Sequence, residues 1–362
     1  MTKENPTKIQ QDKVMTAIVG SYPKPKDIFF GRGRELLDKV GMNFYDLEKE
    51  IGKKEFKKRL NRAVIDAIND QNHAGINLIT DGEERRDHYV LYVLRKLEAF
   101  DFKNLRKKSI REGIYVRKLP TAVKKIEYKN PILIEDYKFT KKHANNIAKI
   151  GLPGPSTVVD SVADEYYNEN MEKMAMDYAK AIRTEVKNLI DAGCQAIQFD
   201  DPVLLRYPER AKKWGLKALQ SCYKGLENKA LFLVHICRGY PHKSLEKKKI
   251  PYKAKADYYS DVLSWLSKST IDVVSIEGAQ SRLDLKVLPA IGEKTVMLGV
   301  LDVGTNKVET VKSIVKRGKE ALEYLPKEQL ILAPDCGMLQ LTQKAAKNKL
   351  VNLAKAASIL NR

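Results

Sequence analysis

Eight short apolar runs recur along this chain, at 15–20, 76–80, 148–153, 195–199, 230–236, 271–276, 295–301 and 329–333. Most are separated by stretches whose apolar residues fall three and four apart, as in KKRLNRAVIDAINDQNHAG, MEKMAMDYAKAIRTEVKNLIDAG, SDVLSWLSKST and VETVKSIVKRGKEALEYL. The runs predict buried strands and the intervening stretches predict helices with one core-facing stripe. Glycine closes two of the helical patterns, in Ala74-Gly75 and Ala192-Gly193. Parallel strands need helical crossovers of one hand, so eight successive units predict an α/β fold that closes as a single (β/α)8 barrel rather than a doubly wound sheet.

Two segments interrupt the pattern. Residues 101–147 begin with a basic run, DFKNLRKKSIREG, and continue with the extended pieces YVRKLPTAV and KKIEYK before a helical stretch. They predict an excursion between the second and third strands that covers one barrel mouth. Residues 22–55 predict a long loop with short helices after the first strand. Residues 1–13 predict a polar tail, which leaves 14–362 as one catalytic barrel.

Composition narrows the function. No apolar run reaches membrane-spanning length, and the lysines of the N-terminus are followed by no apolar segment, so neither a membrane protein nor a secretory signal is expected. The four cysteines, Cys194, Cys222, Cys237 and Cys336, are too few for a disulfide framework and favour a reducing, cytoplasmic location. A net charge of +20 suits an acidic partner, but the cations are interleaved with acids on helix faces and no nucleic-acid-binding motif accompanies them. Nucleic-acid binding is therefore not expected.

In such a barrel the chemistry collects where strands end. The runs are followed in turn by Gly20-Ser21-Tyr22-Pro23, Asp81 to Asp87, Gly154 to Thr157, Asp200-Asp201-Pro202, His235 with Cys237, Glu277, Asp302, and Cys336. Period-two alternation points His235 and Cys237 to one side of one strand. With Glu277 and Cys336 they offer an imidazole, two thiolates and a carboxylate, a borderline-soft set suited to Zn²⁺. A carboxylate is the weakest of these donors and can give way to an incoming sulfur, which favours thiol chemistry over a structural metal. Cys194 and Cys222 read as small core residues.

Taken together these motifs resemble the catalytic barrel of the cobalamin-independent methionine synthases, over nearly the whole chain from VGSYP to PDCGM. The H-x-C…E…C set is matched by His235, Cys237, Glu277 and Cys336, and the opening I/V-G-S by Val19, Gly20 and Ser21. The G-E-x-R loop is matched by Gly82 and Glu83, and the Q-x-D-[ED]-P strand end by Gln198 and Asp200. The resemblance implies a zinc-dependent transfer of a methyl group to the thiol of homocysteine, giving methionine. It implies that Ser21, Glu83 and Asp200 hold the amino-acid end of that substrate, beside Val19 and Gly20. It also implies a barrel that stands without the family's separate N-terminal one.

The departures point to the donor. Where the family carries a histidine proton donor, this chain has Asp302-Val303-Gly304-Thr305, which leaves Asp302 as the possible catalytic group there. Ser161 stands in place of a folate-stacking tryptophan, and Arg206 in place of a folate-binding glutamate. Loss of the stacking plane and the acid argues for a methylated corrinoid protein over methylfolate. Three other readings fit the same sequence less fully: a methylfolate-dependent methionine synthase, a zinc-dependent alkyl transferase or lyase acting on another thiol, and a non-catalytic basic binding protein that keeps a structural zinc.

Overall fold

The computed structural model describes residues 12–28, 44 and 46–362. The N-terminal tail and much of the loop expected over 22–55 lie outside these residues. Eight parallel strands occur at the eight expected places: β1 (Met15–Thr16), β2 (Leu78–Ile79), β5 (Ile147–Pro153), β7 (Ala196–Asp200), β8 (Leu231–Ile236), β9 (Val273–Ile276), β10 (Thr295–Leu301) and β11 (Leu330–Pro334). Hydrogen bonding runs in the order β1-β11-β10-β9-β8-β7-β5-β2, and a bridge between Ala17 and Leu78 brings the two ends of the sheet together. The (β/α)8 barrel is thus the observed fold.

Alternation along each strand builds two cores. One set of positions, including Met15, Ala17, Leu78, Ala196, Leu231, Leu233, Val273, Met297 and Ile331, fills the barrel interior. The intervening positions, such as Ile197, Phe199, Phe232, Val234 and Val274, pack outward against the helices. Those helices include α1 (Lys53–Ala74), α2 (Tyr89–Lys96), α3 (Ile134–His143), α4 (Pro155–Asp160), α5 (Met171–Asp191), α6 (Tyr258–Ser267), α7 (Val311–Leu322) and α8 (Gln343–Leu360). Gly75 closes α1 at φ 79°, and Gly193 follows α5 at φ 87°, the left-handed conformation that ends a helix most cheaply with glycine. Among the described residues no helix is long and apolar enough to cross a membrane.

The excursion differs from the expectation in detail. Its basic run is itself a strand, β3 (Phe100–Ile110), paired antiparallel with β4 (Tyr115–Ala122), and β6 (Ala163–Asp164) adds parallel to β4. A lysine-rich strand carries little apolar alternation, so pairing with β4 rather than its own pattern sets its conformation. KKIEYK, at 124–129, joins no strand. Its Ile126 N–H donates instead to the Tyr167 hydroxyl at 2.8 Å. The hairpin tip reaches the C-terminal mouth of the barrel, where the Glu112 N–H donates to the Tyr207 hydroxyl at 2.9 Å and Tyr115 stacks on His242.

One buried carboxylate fastens the return of this excursion. Glu185 on α5 is fully buried and accepts from the Tyr128 hydroxyl at 2.8 Å and from the N–H groups of Ile132 and Leu133 at 3.1 and 2.6 Å. Removing it strands two buried amides, each worth about 1–3 kcal/mol. Glu185→Ala should therefore lower the unfolding free energy by about 2–4 kcal/mol in urea titration. It should also open the 124–133 segment to limited proteolysis before the barrel melts.

Candidate metal and amino-acid site

The inward set of positions continues past the strand ends and delivers the polar groups to one mouth. Along β8 the interior residues Leu231 and Leu233 are followed at the same spacing by His235 and Cys237. Along β9, Val273 is followed by Ser275 and Glu277. Parallel register then sets Asp200 beside His235, and His235 beside Ser275.

The ligand atoms of His235, Cys237 and Cys336 lie within 4.8 Å of one another. Ser275 Oγ meets His235 Nδ1 at 2.9 Å, which fixes the ring and turns Nε2 toward the sulfurs. Nε2 is buried and has no hydrogen-bond partner. The Cys336 thiol and the His235 imidazole stabilise Cys237 as thiolate and hold its pKa well below the usual range, whereas Cys336 is pushed up by the same pairing and by burial. Burial opposes a charged His235, but the Cys237 sulfur outweighs it and raises the imidazole. Two soft sulfurs and an orphaned imidazole nitrogen around one point fit a zinc-type cation.

Glu277 stands in the same mouth but outside that group of three. It is 2% exposed, and Lys253 Nζ lies 3.4 Å from each of its carboxylate oxygens. Burial raises Glu277 to about 7 against the pull of Lys253. The loop after it is held by Asp335, the residue before Cys336, which accepts the N–H groups of Gly278, Ala279 and Gln280 at 2.8, 2.8 and 2.7 Å. Gly299 on β10 leaves the space that the Asp335 carboxylate occupies.

Beside the sulfurs lies a second polar group. Glu83 sits at φ 56°, a left-handed conformation costly for a side-chain-bearing residue and typical of functional sites. A methyl group at Gly20 would stand 2.8 Å from Glu83 Oε1, and one at Gly151 would stand 3.3 Å from Asp200 Oδ2 and 3.7 Å from Glu83 Oε1. The two carboxylates therefore converge over a glycine floor. Burial raises Glu83 to about 7 and also raises Asp200. Arg86 lies 3.5 Å from Glu83 and donates to the Gly151 carbonyl at 2.9 Å. Gln198 donates to Asp200 Oδ1 at 2.7 Å and to the Val19 carbonyl at 2.9 Å, and the buried Lys149 ammonium bonds the same carbonyl at 2.6 Å. Ser21 packs its Oγ directly against Gly337, and its carbonyl accepts the Met338 N–H at 2.7 Å. The Val19 carbonyl accepts from both Gln198 and Lys149, and its side chain belongs to the interior core.

This arrangement can receive a ligand with a cationic amine at one end and a soft donor at the other. Adjacent strands run about 4.8 Å apart, so the Asp200–His235 register spaces the two seats by roughly the length of a short amino-acid side chain. Burial raises the Tyr89 phenol far above the usual range, and the charge of Asp200 adds to the rise. Asp302, by contrast, caps its own loop by accepting the Gly304 N–H at 2.7 Å. Sequence reasoning missed Ser275, Asp335, Lys253, Lys149 and Arg86. Ser275 shares the inward spacing of Glu277, and Lys149 is a lone cation in an apolar strand, so those two carried a signal; Lys253 carried none.

The site can be set beside known proteins. Over 348 residues the chain is 31% identical to the methionine synthase of Saccharolobus solfataricus, spanning 95% of this chain and 94% of that protein. It is 30% identical over 351 residues to the methionine synthase of Pyrococcus horikoshii, spanning 96% and 93%. A B12-independent methionine synthase from Shewanella sp. W3-18-1, solved in complex with selenomethionine, superposes with a TM-score of 0.85 at 29% identity over 96% of this chain and 97% of that one. A methyltransferase from Methanosarcina mazei shares the fold at a TM-score of 0.58 and 14% identity. Residues 14–359 match the family model described as cobalamin-independent synthase, catalytic domain, and the chain belongs to the cobalamin-independent methionine synthase family.

Proposed function

We propose that this protein transfers a methyl group to the thiol of homocysteine to give methionine, with Zn²⁺ held by His235, Cys237 and Cys336 and, as the fourth ligand, Glu277. The observation that carries the reading is the meeting of two soft sulfurs and an imidazole with a paired-carboxylate seat one strand away. Bound there, zinc would supply the charge that ionises a thiol whose ordinary pKa of about 8.5 keeps it mostly protonated at neutral pH. The relatives named methionine synthase, and the Shewanella protein's complex with selenomethionine, support the substrate class.

The protein's own groups bind and orient. Glu83 and Asp200 receive the substrate ammonium, whose charge replaces the mutual repulsion of two buried carboxylates. Ser21 lies where it can donate to the substrate carboxylate, next to Gly337. Arg86 and Lys149 hold the floor beneath them. Fixing both ends of one small molecule brings the sulfur to a single place, and such positioning contributes up to about 7–11 kcal/mol in the best oriented cases.

For the donor, the same mouth supports a methylated corrinoid protein over methylfolate. A side chain at position 304 would meet Asp302 Oδ1 and Gln280 Nε2 at 3.1 Å and Pro241 Cβ at 3.2 Å, so no histidine fits without displacement of these neighbours. A corrinoid metal leaves without a proton, whereas a folate amine needs one. Arg206 is committed to the Tyr252 carbonyl at 2.7 Å and to Glu112 at 3.2 Å. Beside Ser161, Lys108 of the hairpin donates to the carbonyls of Val159 and Val162, both at 2.8 Å. The cations of β3 and β4 offer an acidic carrier a surface at the rim.

Protein purified without chelator should contain about one zinc per chain. Full retention of methyl transfer by a zinc-free His235→Ala protein would defeat the reading. Asp200→Ala should raise KM for homocysteine about 30-fold or more, the consequence of losing a buried charged partner. Methionine lacks an ionisable thiol, so its binding reports the seat of the amino-acid end without sulfur ionisation. Calorimetry should show that binding weakening as pH falls below about 7, where Glu83 takes up a proton, and Glu83→Gln should flatten that slope around pH 7. Methylcobalamin should support turnover of the zinc-loaded protein at least about tenfold faster than methylfolate, and the reverse order would overturn the donor assignment.

A further inference from the structure

A cation placed against a metal ligand competes with the metal for it, and Lys253 stands in that place. Its backbone is fastened on one side to the segment that carries Cys237 and on the other to Arg206, which also donates to the Arg238 carbonyl at 3.1 Å. Arg206 Nη2 donates to the Tyr252 carbonyl at 2.7 Å, Arg238 Nε donates to the Ala254 carbonyl at 2.6 Å, and the Ala254 N–H donates to the Arg238 carbonyl at 2.8 Å. Lys253 Nζ is 3.4 Å from both Glu277 oxygens and donates to Gln280 Oε1 at 2.6 Å. Gln280 is itself fixed through its N–H to Asp335 at 2.7 Å. The Lys253 side chain is 16% exposed and that of Glu277 3%, so the pair is little screened by solvent.

We infer that Lys253 is a positioning residue that gives Glu277 a second seat, so that the carboxylate rests on the ammonium when its place beside His235, Cys237 and Cys336 is taken by a substrate sulfur. The inference rests on the zinc reading above. A buried carboxylate that leaves a metal must find another positive charge or be protonated. Lys253 supplies that charge within the same mouth, while Gln280 holds the ammonium in line whether or not the carboxylate is there. Two consequences follow from one contact: metal binding is weaker than the donor set alone would give, and exchange of the carboxylate for a thiol is easier.

The test is zinc competition against a chromophoric chelator, run on the whole chain as wild type, Lys253→Met, Glu277→Gln and the double variant. Lys253→Met should bind zinc at least about tenfold more tightly, at the lower end of what outer partners of a ligand change, and Lys253→Arg should restore the wild-type value. In the Glu277→Gln background the same lysine change should alter affinity by less than about twofold, because the carboxylate it would free is no longer there. Lys253→Gln, which keeps a polar side chain, serves as the check should the methionine variant fold poorly, and the same tightening is expected. Unchanged affinity in both lysine variants overturns the inference, as does equal tightening with and without Glu277, which would mark general charge repulsion. A wild-type protein that takes no zinc from the chelator removes the zinc reading itself, and the inference with it.

Discussion

The parallel register across β7, β8 and β9 is the constraint on which the site depends. Side chains alternate strictly between interior and helix-facing sides, so a shift of one residue in any of these strands would turn its polar terminus outward. Gln198 and Asp200 on β7, His235 and Cys237 on β8, and Ser275 and Glu277 on β9 all belong to the interior set. Their neighbours in that set, Ala196, Leu231, Leu233 and Val273, are apolar and buried. The interior core below therefore fixes the phase of the strands, and the phase fixes which groups meet above it. Packing at the bottom of the barrel and chemistry at its top follow from one periodicity.

Much of this was legible in the linear sequence, because both cores leave marks in it. The eight apolar runs are where strands form, since burial on both faces demands near-continuous apolar residues. The three-and-four spacing of α1, α5 and α7 is equally direct. The candidate donors drew attention for a related reason: a histidine, a cysteine or a glutamate at the end of a buried strand is conspicuous, and three of the four meet. What was not legible depends on contacts between distant segments. Strand β3 owes its conformation to β4, and KKIEYK lacks a ladder partner although its residues suit a strand. Lys253 is one lysine among many until Arg206 and Arg238 fasten the loop around it, and the pairing of Glu277 with it separates that carboxylate from the other three donors.

Electrostatics explain why so many ionisable groups tolerate burial here. Glu83, Asp200, Glu277 and Asp335 are all raised by desolvation, and each has an assigned opponent. These are Arg86 for Glu83, His235 and Lys149 for Asp200, Lys253 for Glu277, and three backbone N–H groups for Asp335. An arrangement of this kind stabilises the fold little, and in many proteins apolar residues replace it without loss. Its retention at a barrel mouth makes sense as preorganisation, since every group is held ready for a charge that arrives with the ligand.

The contact between Ser21 and Gly337 joins the segment after the first barrel strand to the segment after the last. The Met338 N–H reaches back to the Ser21 carbonyl, and the Asn361 side chain bonds the backbone of Val14 in the same sense, at 2.7 and 2.9 Å. The Cys336 sulfur thus reaches His235 and Cys237 only when the last strand has joined the first. Closure of the barrel and assembly of the three-residue cluster are therefore one event.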